Sequence, residues 1–267
     1  MDLRVSYVDN PIMAELYDLV PAYRDRPDKD FYLRCAAASN GRILELGCGT
    51  GRVLVPIAER GYPITGLDMS EHMLAKCRRK LEALGKVRTD QVQLVQGNMA
   101  NFRFNHKFGL AIITFHAFQH LITAEQQMAC LNCVNRHLEM TGKLIFDVFF
   151  VDFKRINNPL FSEEMEFFGE SELPDGRRLT ANYRIAGFHT AVQYNDIEMI
   201  YYLTNLDGNV ERIVHAFPMR YFFRYEVEHL LERCGFRVVD LYGNFDESPL
   251  MNDSPEMIFI AEKFKEV

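Results

Sequence analysis

Three glycines at alternate positions, Gly47, Gly49 and Gly51, follow the apolar run "ILEL", with Glu45 two residues before the first of them. A strand that breaks into such a turn brings backbone N–H groups close to a ligand and leaves room for a sugar or a phosphate. Seventeen residues after Gly51 the apolar run "PITGLD" ends in Asp68. A carboxylate there can accept hydrogen bonds from both hydroxyls of a ribose. A dinucleotide loop would read Gly-x-Gly-x-x-Gly; the alternate spacing disfavours a nicotinamide oxidoreductase. Further on, "TFHAFQHL" places His116 and His120 at the end of another apolar run. Histidine there can take a proton near neutral pH.

The elements that must position these groups follow a regular pattern. From residue 41 strands alternate with helices: "GRILELG", helix "GRVLVPIAERG", "PITGLDMS" leading into a Ser70-capped helix, then "VQLVQGNM" and "FGLAIITFHAFQHL". A helix capped by Thr123, "TAEQQMACLNCVNRHLEMTG", and the strand "KLIFDVF" complete the series. Strands separated by helices indicate an α/β fold with a Rossmann-like, doubly wound, mostly parallel sheet. Between 150 and 219 the rhythm turns to strand after strand. Asp175-Gly176 and Asp207-Gly208 suit hairpin turns there. The helix "RYEVEHLLERCG" and the strand pair "FRVVDLYG" and "EMIFIAEKF" close the chain, and the residues before 41 read as helical.

The glycine loop followed by Asp68 resembles the class I S-adenosylmethionine-dependent methyltransferases, and the resemblance covers roughly residues 36–149 and 220–265. It implies S-adenosylmethionine as cofactor. In that family the stretch matching "LELGCGTG" (Glu45, Gly47, Cys48, Gly49, Gly51) approaches the methionine and ribose, and the position of Asp68 binds the ribose. Met69 falls where an apolar side chain packs on adenine. Asn98 of "GNMANF" stands where the family commonly has an aspartate. Its amide oxygen can accept the same bond from the adenine amino group without charge, with Met99 beside it. Phe115 and the residues after it lie where the family approaches the methyl end of the cofactor. His116 and His120 are the candidate bases, and Phe118 and Gln119 candidate acceptor contacts.

Within that family the N-terminal "YDLVPAYRDRPDKDFY", the loop "FHAFQHL", the β insertion and "LYGNFDESPL" look like methyltransferases of the amino-sugar and glycine N-methyltransferase type. That resemblance implies one domain over 1–267, with a helical lid (1–35), a cofactor-binding core (36–149 and 220–267) and an antiparallel β cap (150–219). It makes Tyr17, Tyr23 and Tyr32 candidates to point at the methyl group, Tyr17 first. Arg24 could pair with a carboxylate of cofactor or acceptor. The implied activity is methyl transfer to N or O of a small-molecule acceptor. The alternative is a non-catalytic S-adenosylmethionine-binding protein of the same fold.

Composition narrows the partners. A net charge of −7 repels polyphosphate backbones, and the Asn/Asp-Pro-Pro-aromatic motif of many nucleic-acid base methyltransferases is absent. The basic cluster "KCRRK" (76–80) suits the end of a helix. No membrane span and no signal peptide are read from the sequence, so a cytoplasmic location is expected. No metal site is expected, and no oligomeric state is specified. Cys130 and Cys133 form a CxxC inside a helical pattern with no second pair, which reads as buried thiols.

Overall fold

A computed structural model describes residues 3–6, 8, 10–85 and 91–267. The chain opens with β1 (Leu3–Val5), α1 (Pro11–Tyr17), α2 (Pro21–Arg24) and α3 (Lys29–Ala37). It continues through β2 (Ile43–Leu46), α4 (Leu54–Glu59), β3 (Ile64–Asp68), α5 (Glu71–Ala83), β4 (Val92–Gln96) and β5 (Phe108–Ile113). A 3-10 turn (Ala117–His120), α6 (Ala124–His137) and β6 (Leu138–Phe149) follow. Then come β7 (Met165–Glu172), β8 (Arg178–His189), β9 (Tyr194–Thr204), β10 (Val210–Arg220), α7 (Arg224–Arg233), β11 (Phe236–Tyr242) and β12 (Glu256–Lys263).

Two compact units result. The larger (Pro27–Val151 and Tyr221–Val267) holds a seven-stranded sheet in the order β11-β12-β6-β5-β2-β3-β4. Strands β4, β3, β2, β5 and β6 run parallel, while β12 and β11 are antiparallel additions. One face packs Phe118, Phe146, Phe222 and Phe259 with α6 and α7. The other packs Phe31, Tyr32, Ile57 and Leu74 from α3, α4 and α5 against Ile43 of β2. Each of these fully buried aromatic or aliphatic side chains contributes about 1.5–3 kcal/mol. Cys130, Cys133 and Cys234 are buried free thiols in or beside the first face, and burial pushes the Cys130 thiol up.

Two boundaries differ from the sequence reading. The helix read through Gly142 stops at His137, because the buried Lys263 ammonium of β12 donates to the carbonyls of Asn135 (2.7 Å) and Leu138 (2.9 Å). Those carbonyls are then satisfied by a cation instead of another helical turn, and Leu138 begins β6. Helix α4 starts at Leu54, not at Gly51, since Gly51 has φ +80°, which no right-handed helix accepts.

The smaller unit (Met1–Arg26 and Asp152–Arg220) is a five-stranded sheet, order β1-β10-β9-β8-β7. Strands β7 to β10 are an antiparallel meander as expected from the sequence. Its Asp-Gly turns carry positive φ at Gly176 and Gly208, and Asp175 and Asp207 accept from the backbone N–H of Arg177 and Asn209. The N-terminus is not all helix: β1 pairs in parallel with β10 (Leu3 with Ile213). Arg4 of β1 and Arg184 of β8 both reach the buried Glu198 carboxylate. Helix α3, read as part of the lid, belongs to the larger unit and buries Phe31 and Tyr32 there.

Candidate functional site

In the larger unit the strand order reverses between β2 and β5, so the loops leaving their carboxyl ends diverge. In open α/β sheets that crevice is where ligands bind. From β2 comes the glycine loop, with φ of 71°, 53° and 80° at Gly47, Gly49 and Gly51. A Cβ on Gly49 would meet nothing within 4 Å, whereas one on Gly51 would lie 2.5 Å from Cys77 Sγ. Gly49 therefore has open space beside it, and Gly51 seats the loop on α5. Asp68, at the end of β3, accepts from Gly49 N–H and Ser70 N–H, each at 2.8 Å. Burial raises its pKa, with the backbone donors pulling the other way.

Glu45 lies under the loop at 1% exposure. Thr114 donates its hydroxyl to Oε1 (3.1 Å), while Oε2 has no hydrogen-bond partner among the described residues. Burial pushes the carboxyl up to about 8; the Thr114 hydroxyl and Arg52 oppose the shift, and Asp28 and Asp68 add to it. A buried acceptor of this kind is matched by a cationic N–H group. Arg52 forms a two-pronged pair with the fully buried Asp28 (2.5 and 2.6 Å), and its guanidinium lies 5.3 Å from the Phe115 ring. Lys80 of the basic cluster donates to Thr50 of the loop (3.1 Å), so that cluster lies within α5 and one of its lysines supports the loop.

After β5 the backbone takes two left-handed residues in succession, Phe115 and His116. Asp147 of β6 holds them: its oxygens accept from Phe115 N–H (3.0 Å), from His116 N–H (3.1 Å) and from the Tyr32 hydroxyl. The His116 ring bonds through Nε2 to Glu256 Oε2 of β12 at 2.8 Å, with Asp147 Oδ2 at 3.5 Å. Antiparallel pairing of Phe149 with Glu256 and of Asp147 with Ile258 puts both carboxylates on the face that carries α3. One imidazole and two carboxylates match a divalent cation in number, their ligand atoms lying within 4.8 Å of one another. Both Asp147 oxygens already accept N–H bonds and the imidazole contacts Glu256 directly, so the cluster is complete as a hydrogen-bonded network.

The structure sorts the other candidates. Cys48 is buried beside the loop, leaving its backbone as the part a ligand can meet. Met69 is half exposed after Asp68. Asn98 is exposed, and its Oδ1 accepts from Ala100 N–H (2.8 Å), which builds the turn and leaves that oxygen a second lone pair. Met99 packs near the loop, its Cε 3.6 Å from where a Gly47 Cβ would stand.

Phe118 and Gln119 are corrections. Phe118 is fully buried between Phe146 and Phe222, and Gln119 Oε1 accepts from Phe149 N–H (2.9 Å), so both are structural. His120 is exposed, and the Asp147–Glu256 network gathers His116 alone of the two histidines. In the smaller unit Tyr23 is buried with its hydroxyl 3.0 Å from that of Tyr201, and burial pushes it up to about 12. The Tyr17 ring packs against it at a tilt, with centroids 5.1 Å apart. Arg24, exposed, pairs with neighbouring Asp25.

Sequence reading missed Asp147, Glu256, Thr114, Asp28 and Arg52. The signals were there for two of them: an acid inside "LIFDVF" and one opening "EMIFIA", each in an otherwise apolar strand. A charge in such a place calls for a partner, but no spacing rule names it.

The chain is similar to known methyltransferases in sequence and in fold. Residues 43–142 match the family described as "Methyltransferase domain". The candidate methyltransferase YqeM of Bacillus subtilis is 25% identical over 256 residues, spanning 95% of this chain and 97% of its own. The dTDP-3-amino-3,4,6-trideoxy-alpha-D-glucopyranose N,N-dimethyltransferase of Streptomyces venezuelae is 27% identical over 140 residues, 50% of this chain and 56% of that one. Among solved structures, the CcbJ methyltransferase of Streptomyces caelestis superposes with a TM-score of 0.73 at 22% identity, covering 95% of this chain and 96% of that one. That likeness is one of fold.

Proposed function

We propose, from the premise that this chain is a class I S-adenosylmethionine-dependent methyltransferase, that it methylates an amine or hydroxyl of a small polar metabolite. The observation that carries the reading is His116, an imidazole held against Glu256 and Asp147 just past the carboxyl end of β5. The match to an amino-sugar N,N-dimethyltransferase supports an amine as acceptor.

Bound S-adenosylmethionine supplies an electrophilic methyl group on a sulfonium, displaced in line by the acceptor's lone pair. The chain's own part is orientation and proton removal. In this reading Asp68 accepts the ribose hydroxyls while its bonds to Gly49 and Ser70 keep it aimed. Glu45 offers Oε2 to the α-ammonium, which favours its ionised form. Open space beside Gly49 admits the ligand to backbone distance. Met69 and Met99 serve as apolar cover for the base, and His116 takes the proton the acceptor gives up. Among the described residues no helix is long and apolar enough to cross a membrane.

The test is calorimetry with S-adenosylmethionine, followed by assay of S-adenosylhomocysteine release over a panel of small amines, amino-sugar nucleotides and phenols. Binding with turnover on at least one acceptor is expected. Absence of binding overturns the cofactor reading, and binding with no turnover on any acceptor favours a non-catalytic binding protein.

A further inference from the structure

Glu45 is an ionisable side chain inside an apolar strand. All four residues of β2 are buried, and the residues directly across from Glu45 are Gly66 of β3 and Ile112 of β5. Neither has a polar side chain, so strand register supplies no partner. The fold supplies one neutral donor: the Thr114 hydroxyl, just past β5, reaches Oε1 at 3.1 Å. Oε2 has no hydrogen-bond partner among the described residues. The ionisable groups acting on this carboxyl are Arg52 after the glycine loop, Asp28 ahead of α3, Asp68 at the end of β3 and Cys48 within the loop. Both terminal nitrogens of Arg52 donate to Asp28, at 2.5 and 2.6 Å, so its positive charge is matched there. Asp68 adds a negative charge nearby. A carboxyl so buried, with one hydroxyl as donor, disfavours its charged form. Burial accordingly pushes it up to about 8 from an ordinary 4.5.

We propose that Glu45 is protonated in the ligand-free protein at neutral pH and gives up that proton when S-adenosylmethionine binds, so that cofactor affinity rises with pH. The inference deepens the methyltransferase reading and rests on it, because the group brought to Oε2 is the α-ammonium of the cofactor. On binding, the O–H bond of the Glu45 carboxyl breaks and its proton passes to water and buffer. The ammonium keeps its own protons and donates one of them to Oε2. An ammonium bonds more strongly to a carboxylate than to a neutral acid, and that difference drives the proton out. The sign follows from linkage: a binding step that releases a proton is favoured as pH rises, by about tenfold in affinity per pH unit for one whole proton. The gain ends near pH 8, where Glu45 is already half ionised and a free α-amino group, at about 7.7–8.0, begins to lose its own proton.

The test is titration calorimetry of the full chain with S-adenosylmethionine and with S-adenosylhomocysteine, at one pH in phosphate, Pipes and imidazole buffers. The slope of the observed heat against buffer ionisation enthalpy counts the protons released. At about pH 6.5 the wild type should release about 0.9 proton with either ligand, falling to about zero near pH 8. Between about pH 6 and pH 7 its affinity should tighten about eightfold. Glu45→Gln should release about none and bind with equal affinity across that interval. Wild-type binding without proton release overturns the proposal alone. So does an equal release from Glu45→Gln, which would assign the proton to another group such as Asp68. Release with S-adenosylmethionine but not with S-adenosylhomocysteine also overturns it, since the sulfonium and not the ammonium would then be the cause. Failure of both ligands to bind the wild type overturns the cofactor reading, and the proposal with it.

Discussion

Glu45→Gln isolates one buried carboxyl whose effect on stability can be worked out from its surroundings. The carboxyl is 1% exposed, has one hydrogen bond from Thr114 and titrates at about 8 against an ordinary value of 4.5. The folded chain therefore holds this proton more tightly than the unfolded chain does. Stability from this group is complete at low pH and is lost as pH rises from about 4.5 through about 8. Integrated from about pH 5 to about pH 9, the loss is about 4 kcal/mol, at about 1.4 kcal/mol per unit through the middle of the window. Glutamine has the same shape, can still accept from Thr114, and carries no charge at any pH. Urea unfolding of the ligand-free protein at three pH values is the assay. The variant should match the wild type near pH 5 and exceed it by about 3–4 kcal/mol near pH 9. Saturation with S-adenosylmethionine should narrow that gap, because an ammonium beside Oε2 stabilises the ionised form. Parallel pH profiles for the two ligand-free proteins would refute the reasoning, since they would mean that Glu45 is not desolvated.

Asp68→Ala should weaken S-adenosylmethionine binding by about 1–3 kcal/mol in calorimetry, through lost charge-assisted bonds and a loosened Gly49 and Ser70; equal affinity would remove it as ribose partner. Lys263→Met keeps the length and apolar stem but removes the ammonium donor from the Asn135 and Leu138 carbonyls, of which Asn135 keeps the Leu138 N–H, so urea unfolding should show a loss of about 1–3 kcal/mol. An unchanged midpoint would show that α6 ends for another reason. His116→Ala should lower turnover at least about tenfold more than His120→Ala does, with cofactor affinity held by both; the reverse order would move the proton acceptor to the exposed histidine.

Much of the larger unit was legible because local chemistry dictates it. The spacing Gly47-x-Gly49-x-Gly51 requires positive φ that only glycine adopts cheaply, and all three have it. Ser70 and Thr123 cap α5 and α6 through their own side chains, a contact set within four residues. The strand–helix alternation implied parallel pairing, and the Asp-Gly turns implied hairpins; both are seen. The family resemblance pointed to the loops leaving β2, β3 and β5. Within them it could not distinguish His116 from His120, nor see that Phe118 and Gln119 turn inward.

What tertiary structure decided has a common physical cause: each case is a polar group whose partner lies far along the chain. Lys263 ends α6 from 125 residues away, Asp28 takes Arg52 across 24 residues, and Glu256 takes His116 across 140. A buried charge in a sequence announces that a partner exists, because desolvation without one is too unfavourable. Its identity follows from strand order and register, which bring β12 beside β6 and β6 beside β5. The sequence by itself determined the glycine loop, the acid after β3 and the sheet that presents them; only the packed sheet decided which histidine faces two carboxylates.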